Sequence, residues 1–252
     1  GKWFAVDFND PNRWMGEVGI IAADGKGESV NLTRSGYGDG GSSFMAKGNV
    51  IIYSSDRYGM RSHGSWGAES DVFGVFLNQQ FYEEFKKPLS ELEAEKEADK
   101  GKEEEKDKKD KKDNDEELEV LNVDFEGIED RKVRLSLHSA RLGGSILSND
   151  AQKLYYLARY DKGSDLWVYN IKKRSAKSIT KFDGGAYGLN LSEDEKTAYV
   201  MSGGRIYSVD LNKGSKKPIS FNAKLTTDYA AEREYLFEHM WRQVQKKFYV
   251  ED

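Results

Sequence analysis

Up to about residue 220, apolar residues come in short alternating runs rather than at helical spacing, and the runs recur in one order. Four first runs cover 1–6, 48–53, 152–157 and 195–200, such as Gln152-Lys153-Leu154-Tyr155-Tyr156-Leu157. Four second runs open with a polar residue: Glu17, Asp71, Asp165 and Arg205. Four third runs are shorter and close on a hydroxyl residue: Thr33, Ser136, Thr180 and Ser220. Runs rich in β-branched and aromatic residues, bounded by Gly, Asn, Asp and Ser, predict strands. The linking segments 42–45 and 144–147 supply a fourth strand, and Ser148-Asn149-Asp150 and Ser192-Glu193-Asp194 predict tight turns, because Asp and Asn side chains bond nearby backbone N–H groups.

The first two units, and the last two, are spaced by roughly 45 residues, the period of a four-stranded propeller blade. A lone twisted sheet leaves a face uncovered, and stacking blades around an axis covers it. The expected fold is all-β: a partial β-propeller of about four four-stranded blades, followed by a C-terminal helix. The sequence opens inside a blade, so further blades are expected upstream.

Two segments break the period. Residues 80–119 extend the second unit, and their core, 91–117, alternates Glu, Asp and Lys with almost nothing apolar. Such a run cannot bury enough surface to offset the entropy of ordering, so it reads as a solvated, disordered insertion, with a short helix at 81–85 before it. A regulatory or partner-binding tail is the competing reading. After Phe221, Tyr229, Leu236, Phe237, Met240, Trp241, Val244 and Phe248 fall at three- and four-residue steps, which predicts a helix. Thr227 or Asp228 caps its start, and Lys246 and Lys247 suit its negative end. The predicted domains are 1–222, the blades, and 223–252, a helix leading into a following domain beyond the sequence.

Composition narrows the chemistry. The 252 residues hold 25 glycines and 3 prolines, which fits many tight turns, and aromatics reach 12%. There is no cysteine, so disulfides and thiol catalysis are excluded. A net charge of −5 without a basic stripe argues against a nucleic-acid partner, and no apolar stretch is long enough for a membrane helix.

No Gly-x-Ser-x-Gly nucleophile elbow occurs. Gly36-x-Gly38-x-x-Gly41 has the spacing of a dinucleotide loop but no helix after it, so it reads as an inter-blade turn. Asp113, Asp115 and Glu117 lack the glycine of a calcium loop, and His63, His138 and His239 lack ligand spacing, so neither a metal nor a cofactor is expected. Asn31-Leu32-Thr33 and Asn190-Leu191-Ser192 fit the glycosylation triplet but fall in predicted strands or turns. The best candidate for function is the long loop that carries Arg57, Arg61, His63 and Trp66. Its arginines can hold peptide carboxylates bidentately and its tryptophan can cover an apolar side chain. The same groups can equally stabilise their own loop.

Three stretches resemble Tricorn-like serine peptidases. The helix from Glu234 to Arg242 (Glu-Tyr-Leu-Phe-Glu-His-Met-Trp-Arg), with Phe248-Tyr249-Val250-Glu251-Asp252 after it, is similar to the opening of their catalytic half. Residues 124–133, including Phe125-Glu126-Gly127-Ile128-Glu129-Asp130-Arg131, resemble the segment after a charged insertion in bacterial members, and 54–67 resembles their long loop. The resemblance implies a parent with two propellers and later domains that hold the catalytic Ser and His. No catalytic residue of the family maps onto this chain. The implied role is scaffolding and gating of peptide access. The implied partners are peptides or unfolded polypeptide and the parent's own catalytic domains, with no membrane partner; the parent is a possible homo-oligomer. Periplasmic export is implied, with the cytoplasm as the alternative. A TolB-like protein-binding propeller and the propeller of another peptidase, such as a prolyl oligopeptidase, share the blade repeat.

Overall fold

The computed structural model describes residues 1–62, 67–92, 94, 122–160 and 162–248. They form two compact units, Gly1–Ile219 and Ser220–Asp252.

The first unit holds four antiparallel sheets in chain order. β1 (Trp3–Asn9), β2 (Gly16–Ala22) and β3 (Val30–Asn31) form the first. β4 (Asp39–Met45), β5 (Val50–Ser55), β6 (Asp71–Phe76) and β7 (Lys132–Arg134) form the second. β8 (Arg141–Leu147), β9 (Lys153–Arg159), β10 (Ser164–Asn170) and β11 (Ser175–Phe182) form the third. β12 (Ala186–Leu191), β13 (Thr197–Ser202), β14 (Arg205–Asp210) and β15 (Lys216–Ile219) form the fourth. Each is a meander in which neighbours in sequence are neighbours in space. The linking segments supply β4, β8 and β12, the first strands of the later sheets. The first sheet has three strands, not the four expected of every blade, because no strand precedes β1 in the position of β4, β8 and β12.

Strand alternation decides how blades stack. Ile51 and Ile52 are adjacent in β5 and both buried, yet Ile51 joins Val18, Ile20 and Phe73 between the first two blades. Ile52 joins Phe76, Leu147 and Leu154 between the second and third. Tyr156 and Tyr155 divide in the same way between the second and third cores. Each inner blade is thus apolar on both faces, and each such side chain contributes about 1.5–3 kcal/mol. Neighbouring blades meet so closely that a Cβ on Gly143 would stand 2.3 Å from the Ala186 carbonyl oxygen.

In the first two blades the acid that opens the second run and the hydroxyl that closes the third turn out to be a latch. Thr33 donates to the buried Glu17 carboxylate and accepts from the Val18 N–H at 3.0 Å. Ser136 donates to Asp71 at 2.6 Å and accepts from the Val72 N–H at 3.1 Å. The hydroxyl continues the backbone ladder past the end of the short outer strand and neutralises the cost of burying the acid. The predicted tight turns are equally regular. Ser148 donates to Asp150 at 2.6 Å while Asp150 accepts from the Gln152 N–H at 3.0 Å. Ser192, Asp194 and the Lys196 N–H repeat this at 2.7 and 3.1 Å, and these hydrogen bonds, the serine's first, hold the Asp194 carboxyl below its ordinary value. Gly203 and Gly204, both at positive φ, close the two-residue β13–β14 hairpin.

The first part of the inserted stretch is folded. α1 (Gln79–Lys86) is capped by the Asn78 side chain, and its Phe85 and Tyr82 rings lie 4.4 and 5.3 Å from the ring of Phe76. Lys172 of the third blade donates to the carbonyl oxygens of Phe85 and Lys87, and burial pulls its pKa down. The chain re-enters the blade through Arg131, which is 2% exposed. Its guanidinium donates to the Phe76 carbonyl at 3.0 Å, to the Gln79 side chain at 3.0 Å, to the Glu126 carbonyl at 2.8 Å and to the Asp124 carbonyl. Leaving and returning strands are therefore held by one side chain. Residues 95–121, with Asp113, Asp115 and Glu117, lie outside the described residues.

In the second unit, Asp228 rather than Thr227 caps α2 (Tyr229–Lys247), accepting from the Ala230 and Ala231 N–H groups at 3.0 and 3.2 Å. Among the described residues no helix is long and apolar enough to cross a membrane. Tyr249 to Asp252 lie outside the described residues.

Candidate functional site

The loop joining β5 to β6 is a pinched excursion. Gly59 lies so near the Glu69 backbone that any Cβ would overlap it, since the built distance to the Glu69 carbonyl oxygen is 1.7 Å. Beyond the pinch the chain pairs with itself. The Glu69 N–H donates to the Met60 carbonyl at 3.0 Å, and the Ser62 N–H donates to the Gly67 carbonyl at 3.0 Å. His63 and Trp66, between Ser62 and Gly67, lie outside the described residues.

Arg57 and Arg61 come together around Tyr37. The Arg57 guanidinium sits 5.5 Å from the Tyr37 ring centre and 5.4 Å from that of Tyr58, while Arg61 sits 5.9 Å from Tyr37. Arg61 also pairs with Asp56 at 3.0 Å, and the same carboxylate oxygen accepts from the Gly38 N–H at 2.9 Å. Each exposed cation–π contact adds about 0.5–1 kcal/mol, so both arginines contribute to loop stability. Tyr58 in turn stacks on Phe73 at 6.0 Å and lies under Arg134, which grips the buried Asp71 at 2.7 Å. The loop is tied through these rings to the second-blade latch.

Beside it opens a cavity of about 490 Å³, lined among others by Ser54, Arg61, Ser62, Glu69, Ser70 and Arg141. Arg141, at the start of β8, is the residue that the linear reading misses. Its cross-strand partner is Arg159, and like charges placed directly opposite repel. Neither makes an ion pair among the described residues. The signal in the sequence is faint, because Arg141 and Arg159 become partners only once the β8–β9 register is known.

The three glycine N–H groups of the Gly36-x-Gly38-x-x-Gly41 segment are already taken. The Gly36 N–H donates to Glu17, that of Gly38 to Asp56, and that of Gly41 to Asp7 at 2.7 Å. Carboxylates of this chain fill the place an anion would take, and β4 follows rather than a helix. Here Ser35 donates to the buried Asp39 at 2.6 Å. Burial raises the pKa of Asp39 above the usual carboxylate range, and the charge of Glu17 adds to the rise. Among the described residues no three His, Asp or Glu side chains are grouped to hold a metal ion.

No family model and no curated protein matches the sequence. Solved structures do. The chain superimposes on the tricorn protease with a TM-score of 0.62 at 14% identity, over 99% of this chain and 24% of that one. It superimposes on TolB from Acinetobacter baumannii with a TM-score of 0.54 at 13% identity, over 88% of this chain and 42% of that one. A protein described as TolB from Agrobacterium tumefaciens gives 0.51 at 12% identity, over 86% and 61%. The chain therefore spans less than two thirds of each. Such low identity shows the fold alone: this chain carries β-propeller blades of the kind found in TolB and the tricorn protease.

Proposed function

We propose that these blades are the non-catalytic propeller part of a Tricorn-like serine peptidase, which scaffolds the parent and gates the entry of peptides to a catalytic site in later domains. The observation that carries this reading is coverage. The tricorn match extends over 99% of the chain, whereas the TolB match leaves uncovered about as much chain as the C-terminal unit contains. In this reading α2 leads into the catalytic half, and the parent is exported to the periplasm. Arg61 and Arg141 at the cavity meet the carboxylates of passing peptides, with His63 and Trp66 on the same loop.

The test compares peptide turnover by the longer parent and by this 252-residue chain, together with Arg61→Ala and Arg141→Ala in the parent. Turnover only by the parent, with kcat/KM for acidic peptides falling about tenfold in the double variant, is the expected result; losing one charge-assisted contact at each site supports that size. Turnover by the short chain, or unchanged kcat/KM, defeats the reading. The second reading, a TolB-like protein-binding propeller without enzymatic role, is favoured by the 0.54 superposition and would show as a parent with no turnover at all.

A further inference from the structure

The sequence holds three Asp-Gly pairs, Asp24-Gly25, Asp39-Gly40 and Asp183-Gly184, and the fold treats them differently. In such a pair the glycine's backbone nitrogen can attack the side-chain carboxyl carbon of the aspartate before it. Glycine permits this because it has no Cβ to block the approach and leaves the backbone free to turn. The reaction needs a carboxylate without a fixed partner, an N–H outside the backbone ladder, and room for the ring that forms.

Asp39 offers none of these. It is buried, accepts from the Ser35 hydroxyl at 2.6 Å, and precedes a glycine paired with Ser54 inside β4. Asp24 is exposed, but its Oδ1 accepts from the Lys26 N–H at 3.0 Å, which holds the side chain in a local turn, and Gly25 stands at φ +70°. Asp183 lies in the segment between β11 and β12 that joins the third blade to the fourth, and Asp183, Gly184 and Gly185 are all exposed. Among the described residues the Asp183 carboxylate has no hydrogen bond or ion pair, and the Gly184 N–H has no acceptor. A Cβ built on Gly184 or on Gly185 meets nothing within 4 Å.

We infer that Asp183-Gly184 is the pair that the fold leaves open to isoaspartate formation. The Gly184 nitrogen forms a bond to the Asp183 Cγ, and a carboxyl oxygen leaves as water with the amide proton, which gives a cyclic imide. Water then adds to either carbonyl. Addition at Cγ restores aspartate. Addition at the former main-chain carbonyl breaks its bond to nitrogen, so the chain runs on through the side chain and a new α-carboxylate is freed. Either opening carries one oxygen from solvent, and no other reactant is needed. The new carboxylate is a substrate of the class of S-adenosylmethionine-dependent carboxyl methyltransferases that act on isoaspartate. The product lengthens the main chain by a methylene directly after Phe182, whose carbonyl oxygen would lie 2.2 Å from a Cβ on Gly163 and so is packed on the β9–β10 turn. The change therefore falls at the junction of the third and fourth blades. It does not rest on the peptidase reading.

The experiment incubates this chain, folded, in heavy-oxygen water at neutral pH and reads by mass spectrometry which proteolytic peptide takes up solvent oxygen. An isoaspartate carboxyl methyltransferase with radiolabelled S-adenosylmethionine then reports the isomerised share, and a sample held in urea frees all three pairs from the fold. The expected result is that in the folded chain the peptide carrying Asp183 gains heavy oxygen and methyl label ahead of those carrying Asp24 and Asp39, and that urea abolishes this lead. Asp183→Glu, whose longer side chain would have to close a larger ring, is expected to lose both signals at that peptide. Equal or earlier labelling at Asp24 or Asp39 in the folded chain, the same lead in urea, oxygen uptake without methyl acceptance, or undiminished signals in Asp183→Glu would each overturn the inference.

Discussion

The second and third blades are built to one plan, four antiparallel strands in chain order, but only the second is interrupted before its last strand. The third blade turns from β10 to β11 within four residues, closed by the Arg174 N–H on the Ile171 carbonyl. The second must recover β7 after a long detour, and it does so with charge. Arg131 bonds to the Phe76 carbonyl 55 positions away, and Asp71 is gripped by Arg134, Ser136 and Ser139. Its counterpart Asp165 is only loosely paired with Lys181, at 4.0 Å. A hairpin closes itself through local geometry. The strand that returns from afar is held by Arg131 in addition to a buried acid latch of the kind that the uninterrupted first blade also has, between Glu17 and Thr33.

That contrast can be broken by mutation. The largest effect is expected from Arg131→Ala, which strips four acceptors of a buried charged donor and should cost about 3 kcal/mol in urea unfolding. A loss no larger than that of a surface arginine would show that α1 and the strand pairing hold β7 unaided. Next, Asp71→Ala should cost about 2 kcal/mol, against less than about 0.5 kcal/mol for Asp165→Ala, read from the same curves. Equal losses would erase the distinction between the blades. Gly143→Ala forces a methyl against the Ala186 carbonyl and should cost about 1–3 kcal/mol, a packing penalty independent of either latch.

The pH dependence is subtler. Asp39 binds its proton more tightly folded than unfolded, so its contribution to stability is greatest below its ordinary value of 3.8 and declines as pH rises through its raised folded value. Asp39→Asn should remove that decline, which thermal unfolding followed across the acid range will register; an unchanged slope would acquit Asp39. The smallest effect belongs to the detour itself. Replacing 95–121 by a Gly/Ser linker of half the length should change stability by about 0.6 kcal/mol or less, as loop-closure entropy dictates.

The blade repeat was legible in the sequence because alternation, turn residues and period all agree, and so were α1 and the C-terminal helix. The acid-and-hydroxyl rhythm was also visible at Glu17 with Thr33 and Asp71 with Ser136, but its cause was not, since the two partners are joined only when the outer strand folds back on the inner one. Arg131 was legible only as part of the Phe-Glu-Gly-Ile-Glu-Asp-Arg marker; nothing local announces that its acceptors lie on Phe76 and Gln79. At the candidate site the loop could be found by length and composition. Arg141 could not, because it reaches the cavity through strand register.

The split of the second blade also sets a timetable. On a ribosome adding ~5–20 residues per second, β6 emerges several seconds before β7. For that interval a strand buried along its whole length in the native fold has one free edge, the kind of template on which nascent chains stick to one another. α1 is translated immediately after it and lays Phe85 and Tyr82 over Phe76. The charge-rich stretch that comes next holds almost nothing apolar and is of the polar composition that flanks sticky strands as gatekeeper sequence. The insertion that interrupts the finished blade is thus also the interval in which β6 waits for its last neighbour, with α1 the first element able to cover Phe76.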